Sequence, residues 1–136
     1  MHGAKVLDLF CGTGAFGLEA LSRGASHCTF IDIHTDLIKK NCQIADNGTY
    51  TVIKGRAEAL VEKLRGEFDI IFIDPPYGDI EPLELIKKIK DNEILANEGI
   101  LIYEESVRTP FSYPEEFELR SEKRYGDTKI YYLSVM

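Results

Sequence analysis

A chain of 136 residues has room for one domain with a sizeable core and none for a second. No apolar run approaches the roughly 18 residues that a membrane-spanning helix needs, and no signal-peptide pattern opens the sequence. The net charge of −7, with 16 Lys and Arg against 23 acids, argues against a broad basic face, so this chain taken alone should bind nucleic acid weakly.

The first strand is expected at Lys5–Phe10, followed by the glycine-rich turn Gly12-Thr13-Gly14. A helix follows from about Ala15 to Arg23 and stops at Gly24, which readily takes the left-handed cap. Cys28–Ile31 reads as a second strand ending at Asp32. Asp36 to about Ala45 is expected to be helical, with Leu37, Ile38 and Ile44 facing the core, and Asp46-Asn47-Gly48 breaks it. Thr51–Ile53 is a short strand, and Ala57–Leu64 a short helix with Leu60, Val61 and Leu64 inward. Phe68–Ile73 is a continuous apolar strand of the kind covered on both faces. Pro82–Lys90 gives a helix with Leu85, Ile86 and Ile89 on one side, and Ile100–Tyr103 is the fifth strand. Phe117–Tyr125 and Lys129–Val135, joined through Gly126-Asp127, read as an antiparallel hairpin.

Strand and helix therefore alternate five times before a hairpin closes the sheet. The expected fold is α/β: a doubly wound, mostly parallel, seven-stranded Rossmann-like sheet over residues 1–136, with its ligand site at the carboxyl ends of the strands. Only four residues precede the first strand, which leaves no helix ahead of it to cover that sheet face, so either the natural start lies upstream or the chain does without such a segment. Cys11, Cys28 and Cys42 are odd in number and lack Cys-x-x-Cys spacing, which fits a reducing cytoplasm and small buried side chains better than disulfides, zinc or a catalytic thiol.

Two motifs carry chemistry. Asp74-Pro75-Pro76-Tyr77 follows the buried strand Phe68–Ile73. Neither proline has an N–H, so nearby carbonyls stay free as acceptors. Asp74 adds a carboxylate acceptor and Tyr77 a flat face for stacking. That combination suits a planar base with an exocyclic amine, whose two protons the acceptors grip. A proline-stopped strand-to-helix turn is the plainer alternative.

The second motif, Gly12-x-Gly14-x-x-Gly17 with Asp32 about 20 residues on, satisfies a dinucleotide fingerprint by letter. Charge argues against that guest. A pyrophosphate beside Asp8 would meet a carboxylate, and like charges at ~4 Å repel by about 4 kcal/mol at an effective dielectric of 20. S-adenosylmethionine fits better, because its sulfonium and ammonium are cationic. Asp8 would face the ammonium, and Asp32 would accept the ribose hydroxyls. A helix-capping or loop-bracing role is the alternative for Asp8.

At these residues the chain resembles class I S-adenosylmethionine-dependent methyltransferases, specifically bacterial small-subunit rRNA guanine-N2 methyltransferases of the RsmD type. The resemblance rests on the stretch from Val6 to Ala25, on Asp74-Pro75-Pro76-Tyr77, on Ile102-Tyr103-Glu104-Glu105-Ser106 and on the hairpin with Tyr125-Gly126. It implies methylation of a base amine in 16S rRNA, either free or in an assembling particle, with no metal and no membrane. It further implies target-holding roles for Asp74, Pro75, Pro76 and Tyr77. Cofactor contacts fall to Asp8, Phe10, Cys11, Gly12 and Gly14, and to Asp32, Ile33, Arg56, Ala57 and Asp74. An adenine-N6 nucleic-acid enzyme shares the Asp-Pro-Pro-Tyr motif, and an inactive binding module on the same fold is the reading from another class.

Two departures stand out. Similar proteins carry a basic N-terminal segment ahead of the first strand. They also place Asp or Asn before Ala after strand three, where the side chain takes the adenine amine. Here Arg56 precedes Ala57 and has no acceptor to offer, although the Ala57 N–H can still serve the ring. Among other candidates, His34 reads as a solvent-facing helix start, Asn41 as structural, and Tyr103, Tyr131 and Tyr132 as sheet packing.

Overall fold

The computed structural model describes residues 2–64, 66–76 and 80–136. Its strands are β1 (Lys5–Leu9), β2 (His27–Asp32), β3 (Tyr50–Lys54), β4 (Phe68–Ile73), β5 (Leu95–Ser106), β6 (Phe117–Tyr125) and β7 (Thr128–Val135). The helices are α1 (Ala15–Ser22), α2 (Asp36–Asn41), α3 (Ala57–Leu60) and α4 (Pro82–Asp91). The strands form one seven-stranded sheet in the order β3-β2-β1-β4-β5-β7-β6, parallel from β3 to β5 and antiparallel thereafter. The doubly wound sheet with a closing hairpin is as expected. β1 and β4 lie side by side where the order reverses, and that reversal opens a crevice at their carboxyl ends.

Alternation along the strands separates two cores. Leu7, Leu9, Ile71, Ile73, Leu101 and Tyr103 point to the α3/α4 side, where they meet Val61, Leu85, Ile86 and Ile89. Val6, Cys28 and Phe30 point to the α1/α2 side and meet Ala20, Ile38 and Cys42. Helix α4 begins with Pro82, whose missing N–H costs nothing in a first turn, and buries Leu85, Ile86 and Ile89 completely. Each such burial contributes roughly 1.5–3 kcal/mol. Ile70, Phe72, Ile100 and Ile102 are half-buried; Ile70 packs against the α1/α2 core, and Phe72 stacks on Phe16 of α1 with ring centroids 4.1 Å apart. No helix among the described residues is long and apolar enough to cross a membrane.

Three sequence expectations need correction. Helix α2 ends at Asn41 and tightens into a 3₁₀ turn over Cys42–Ile44. The tighter turn swings Ile44 outward, so it is 85% exposed, while Leu37 is 51% exposed. The buried pair is Ile38 with Cys42, four residues apart and therefore on one helix face. Helix α3 stops at Leu60, although Val61 is still buried and Leu60 and Leu64 still pack on the core. Strand β5 begins at Leu95 rather than Ile100, with a register shift between its pairings to Phe68 and Ile70.

The aromatic side chains of the far strands do pack as expected. Phe111 lies between Tyr103 and Tyr131, with ring centroids at 4.7 and 4.3 Å. The outermost strand, β6, is exposed along its whole length after Phe117 and carries Glu118, Arg120, Glu122, Lys123 and Arg124.

Candidate active site

The crevice has two parts. The larger, about 560 Å³, is lined among others by Phe10, Asp32, Ile33, His34, Arg56, Ala57, Glu58, Pro76 and Ile80. The smaller, about 280 Å³, is lined by Asp8, Cys11, Thr13, Ala15, Phe16, Phe72 and Glu104. Phe10 and Asp74 line both parts and so mark their junction.

Glycine geometry explains how the turn between β1 and α1 reaches this place. Phe10, Gly12 and Gly14 have φ of 58°, 53° and 80°, all in the left-handed region. A left-handed phenylalanine is uncommon and costly, and such residues cluster where a site requires them. The turn is pinned from three sides. The Gly12 N–H donates to Asp32 Oδ2 at 2.8 Å, the Gly14 N–H to the Cys11 carbonyl at 2.7 Å, and Asn41 Nδ2 to the Thr13 carbonyl at 2.9 Å. Asn41 thus has the structural role expected of it. Asp32 also accepts the His34 N–H, at 3.3 Å on its other oxygen.

Asp8 is 1% exposed and accepts the Gly17 N–H at 3.1 Å. Helix α1 has no side-chain cap of its own, so the neighbouring strand supplies one. The bracing role and the crevice position therefore coexist in one carboxylate. Burial is the main cause that raises the Asp8 carboxyl; the Gly17 bond pulls it down, the charges of Asp74 and Asp32 push it up, and together they leave it at about 7. Asp74 is exposed as a residue, yet partial desolvation and then the Glu105 charge raise its carboxyl above the usual range. Glu104 is raised by burial first and Asp74 second. Cys11 is pushed up to about 12 by burial and by Asp8 and Asp32, so it stays a thiol and is no nucleophile at neutral pH.

The sign of the Asp8 shift gives a measurable consequence. Its folded value, about 7, lies above the unfolded value near 3.8, so the folded state holds the proton more tightly. Stability from this group falls as pH rises from about 4 to 7 and is level above that. Asp8→Asn removes the buried charge. It is expected to stabilise the protein by roughly 2–3 kcal/mol more at pH 8 than at pH 5. Thermal unfolding at both pH values checks this, and equal gains would contradict it.

Of the residues expected from sequence, Asp8, Phe10, Cys11, Asp32, Ile33, Arg56, Ala57, Asp74 and Pro76 line the crevice. Gly12 and Gly14 shape its floor without lining it, and Pro75 sits beside it. Tyr77 lies outside the described residues. Glu58 and Glu104 line the crevice and were not expected there. His34 is exposed, as expected, but also borders the larger part. The register Ile73↔Tyr103 is what sets Glu104 beside Asp74.

Comparison with known proteins agrees with this architecture. The chain is 33% identical over 129 residues to ribosomal RNA small subunit methyltransferase D of Escherichia coli, an alignment covering 90% of this chain and 64% of that protein. The chain thus spans just under two thirds of that relative's length. It is 32% identical over 142 residues to the putative rRNA methyltransferase YlbH of Bacillus subtilis, covering 94% and 74%. The solved structure of the putative methyltransferase yhhF from Escherichia coli superposes with a TM-score of 0.86 at 31% identity, covering 97% of this chain and 77% of that one. A family model described as conserved hypothetical protein 95 matches residues 1–134, and with relatives aligned over nine-tenths of its length, the chain belongs to that family.

Proposed function

We propose that this chain transfers a methyl group from S-adenosylmethionine to an exocyclic base amine of small-subunit ribosomal RNA in the cytoplasm, and that the amine is guanine N2. The observation that carries the reading is the position of Asp74. Because it lines both parts of the crevice, a donor held in one and an amine held at the strand tip meet at its carboxylate. Relatives named as rRNA small subunit methyltransferases support the substrate class.

The residues fit the cofactor by charge. Asp8, Asp74 and Glu104 line the smaller part with no Lys or Arg among its described lining residues, and each carboxyl is held above its ordinary range. A cationic ligand relieves that repulsion, whereas a pyrophosphate would add to it. When bound, the cofactor supplies a methyl group on a positively charged sulfur. The chain supplies position and exclusion of water. Asp32, fixed by the N–H groups of Gly12 and His34, keeps lone pairs for ribose hydroxyls. Asp74 and the carbonyl groups around Pro75 and Pro76 grip the amine protons, and Tyr77 offers a stacking face. Most of the acceleration comes from alignment. Asp74 takes the proton that the amine releases, and its raised carboxyl suits that secondary task.

Guanine matches this set better than adenine. Its Watson–Crick edge places an N1–H donor beside the N2 amine, and carboxylates accept from both. Adenine sets a ring acceptor beside its amine, against which a carboxylate is repelled. The target base has to leave its stack, at a cost of a few kcal/mol that is smallest in a loop or single strand.

The test is methyl transfer from labelled S-adenosylmethionine to 16S rRNA, free and in small-subunit particles, taken from cells lacking the modification. N2-methylguanosine in the digest is the expected product. N6-methyladenosine would favour the adenine enzyme. No cofactor binding at millimolar concentration would favour an inactive binding module.

A further inference from the structure

We infer that Glu58, held in place by Arg56, accepts the exocyclic amine of the cofactor's purine, so that an ion pair on the crevice wall sets which purine the site takes. The inference rests on the reading of the crevice as an S-adenosylmethionine site. It goes further by assigning a residue outside the set that the motifs indicate.

An adenine ring brings two flat apolar faces and an edge on which an amine donates. For the faces, the larger part of the crevice offers Ile33, Pro76 and Ile80. Ile33 is 50% exposed, an apolar side chain open at the crevice mouth that a flat ring would cover. For the edge, the carboxylates lining this part are Asp32, Glu58 and Asp74. Asp32 is tied by both oxygens to the backbone of Gly12 and His34, which places it at the glycine turn. Asp74 lies at the junction with the smaller part. Glu58 remains, on the wall that follows β3.

Arg56 cannot accept a proton, but it does something else. Its Nη2 lies 3.2 Å from Glu58 Oε2, with the Arg56 side chain 71% exposed and that of Glu58 30% exposed. A pair so open to solvent contributes little to stability. Its effect is positional: one carboxylate oxygen is held and the other is left to accept. The Glu58 backbone is fastened as well, because Lys88 Nζ donates to its carbonyl at 3.1 Å and ties this segment to α4. The acceptor that Arg56 lacks is thus provided two residues later, and the arginine orients it.

A carboxylate only accepts. At the 6-position it therefore binds an amine and is repelled by an oxo oxygen, which gives the experiment. Isothermal titration calorimetry of the whole chain compares S-adenosylhomocysteine with its inosine counterpart. Wild type is expected to prefer the amino compound by roughly 10- to 100-fold, the range of one hydrogen bond to a charged group. Glu58→Gln, whose amide both donates and accepts, is expected to shrink that preference below about 3-fold. Arg56→Met is expected to weaken the amino compound about 3- to 10-fold. Circular dichroism verifies folding, and Glu58→Asp, which shortens the reach by one methylene, substitutes if the glutamine variant fails to fold. An unchanged preference in the Glu58 variants overturns this inference and leaves the cofactor reading standing. Failure of wild type to bind either compound overturns both. Undiminished binding by Arg56→Met overturns the part given to Arg56.

Discussion

Asp74→Ala is expected to lower kcat/KM for methyl transfer by about two to three orders of magnitude, the loss typical when one preorganised group at the reacting centre is removed. Alanine leaves the prolines in place and deletes the one carboxylate that, among the described residues, both parts of the crevice share. The fold should not suffer, because the charge of Asp74 raises both Asp8 and Glu104. Removing it relieves two repulsions, so the melting temperature should hold or rise. Single-turnover methylation alongside thermal unfolding separates the two effects. Activity within about threefold of wild type, with an intact fold, would remove Asp74 from the reaction.

Gly17→Val should be the most damaging single change to the fold. A Cβ at Gly17 would stand 2.5 Å from Cys28 Sγ and 2.8 Å from Phe30 Cζ, and in contact with Phe30 Cε1. Cys28 and Phe30 are both fully buried on β2, so neither can yield without disturbing the sheet. Overpacking commonly costs about 1–3 kcal/mol, and valine here should reach or pass the upper end. Against a total stability of roughly 5–15 kcal/mol, that is a fall in melting temperature of about 10 °C or more. Gly48→Ala is the control. Its φ of 87° carries left-handed strain, but nothing lies within 4 Å of where a Cβ would stand. It should cost only about 1 kcal/mol. A loss at Gly17 no larger than that of the control would show that the close approach of α1 to β2 yields without disturbing the sheet.

The sheet was legible because short apolar runs such as Val6-Leu7 and Ile70–Ile73 are bounded by glycine, proline and acidic residues. Where the reading failed, tertiary pairing had overridden local signals. Asn97-Glu98-Gly99 has the composition of a loop, yet it lies inside β5, with Glu98 at a φ of 64° beside the register shift. Likewise, Ile44 fits a helical stripe that the 3₁₀ turn dissolves. Asp8, Asp32 and Asp74 could be brought together on paper because each stands at or near the carboxyl end of a parallel strand. Glu58 and Glu104 could not. Which wall Glu58 faces depends on where α3 settles, and the nearness of Glu104 to Asp74 depends on the pairing of β4 with β5.

The charged outer margin formed by β6 bears on how the molecule behaves in a crowd. An unpaired strand offers a ladder of amides to any passing copy, and repeated addition of that kind builds fibres. Here a newcomer would have to lay its own backbone against a fence of Glu118, Arg120, Glu122, Lys123 and Arg124. The pairing irregularity between Leu119 and Ser121 also breaks the flat run that stacking requires. That margin of the sheet is therefore guarded against the addition of a further strand.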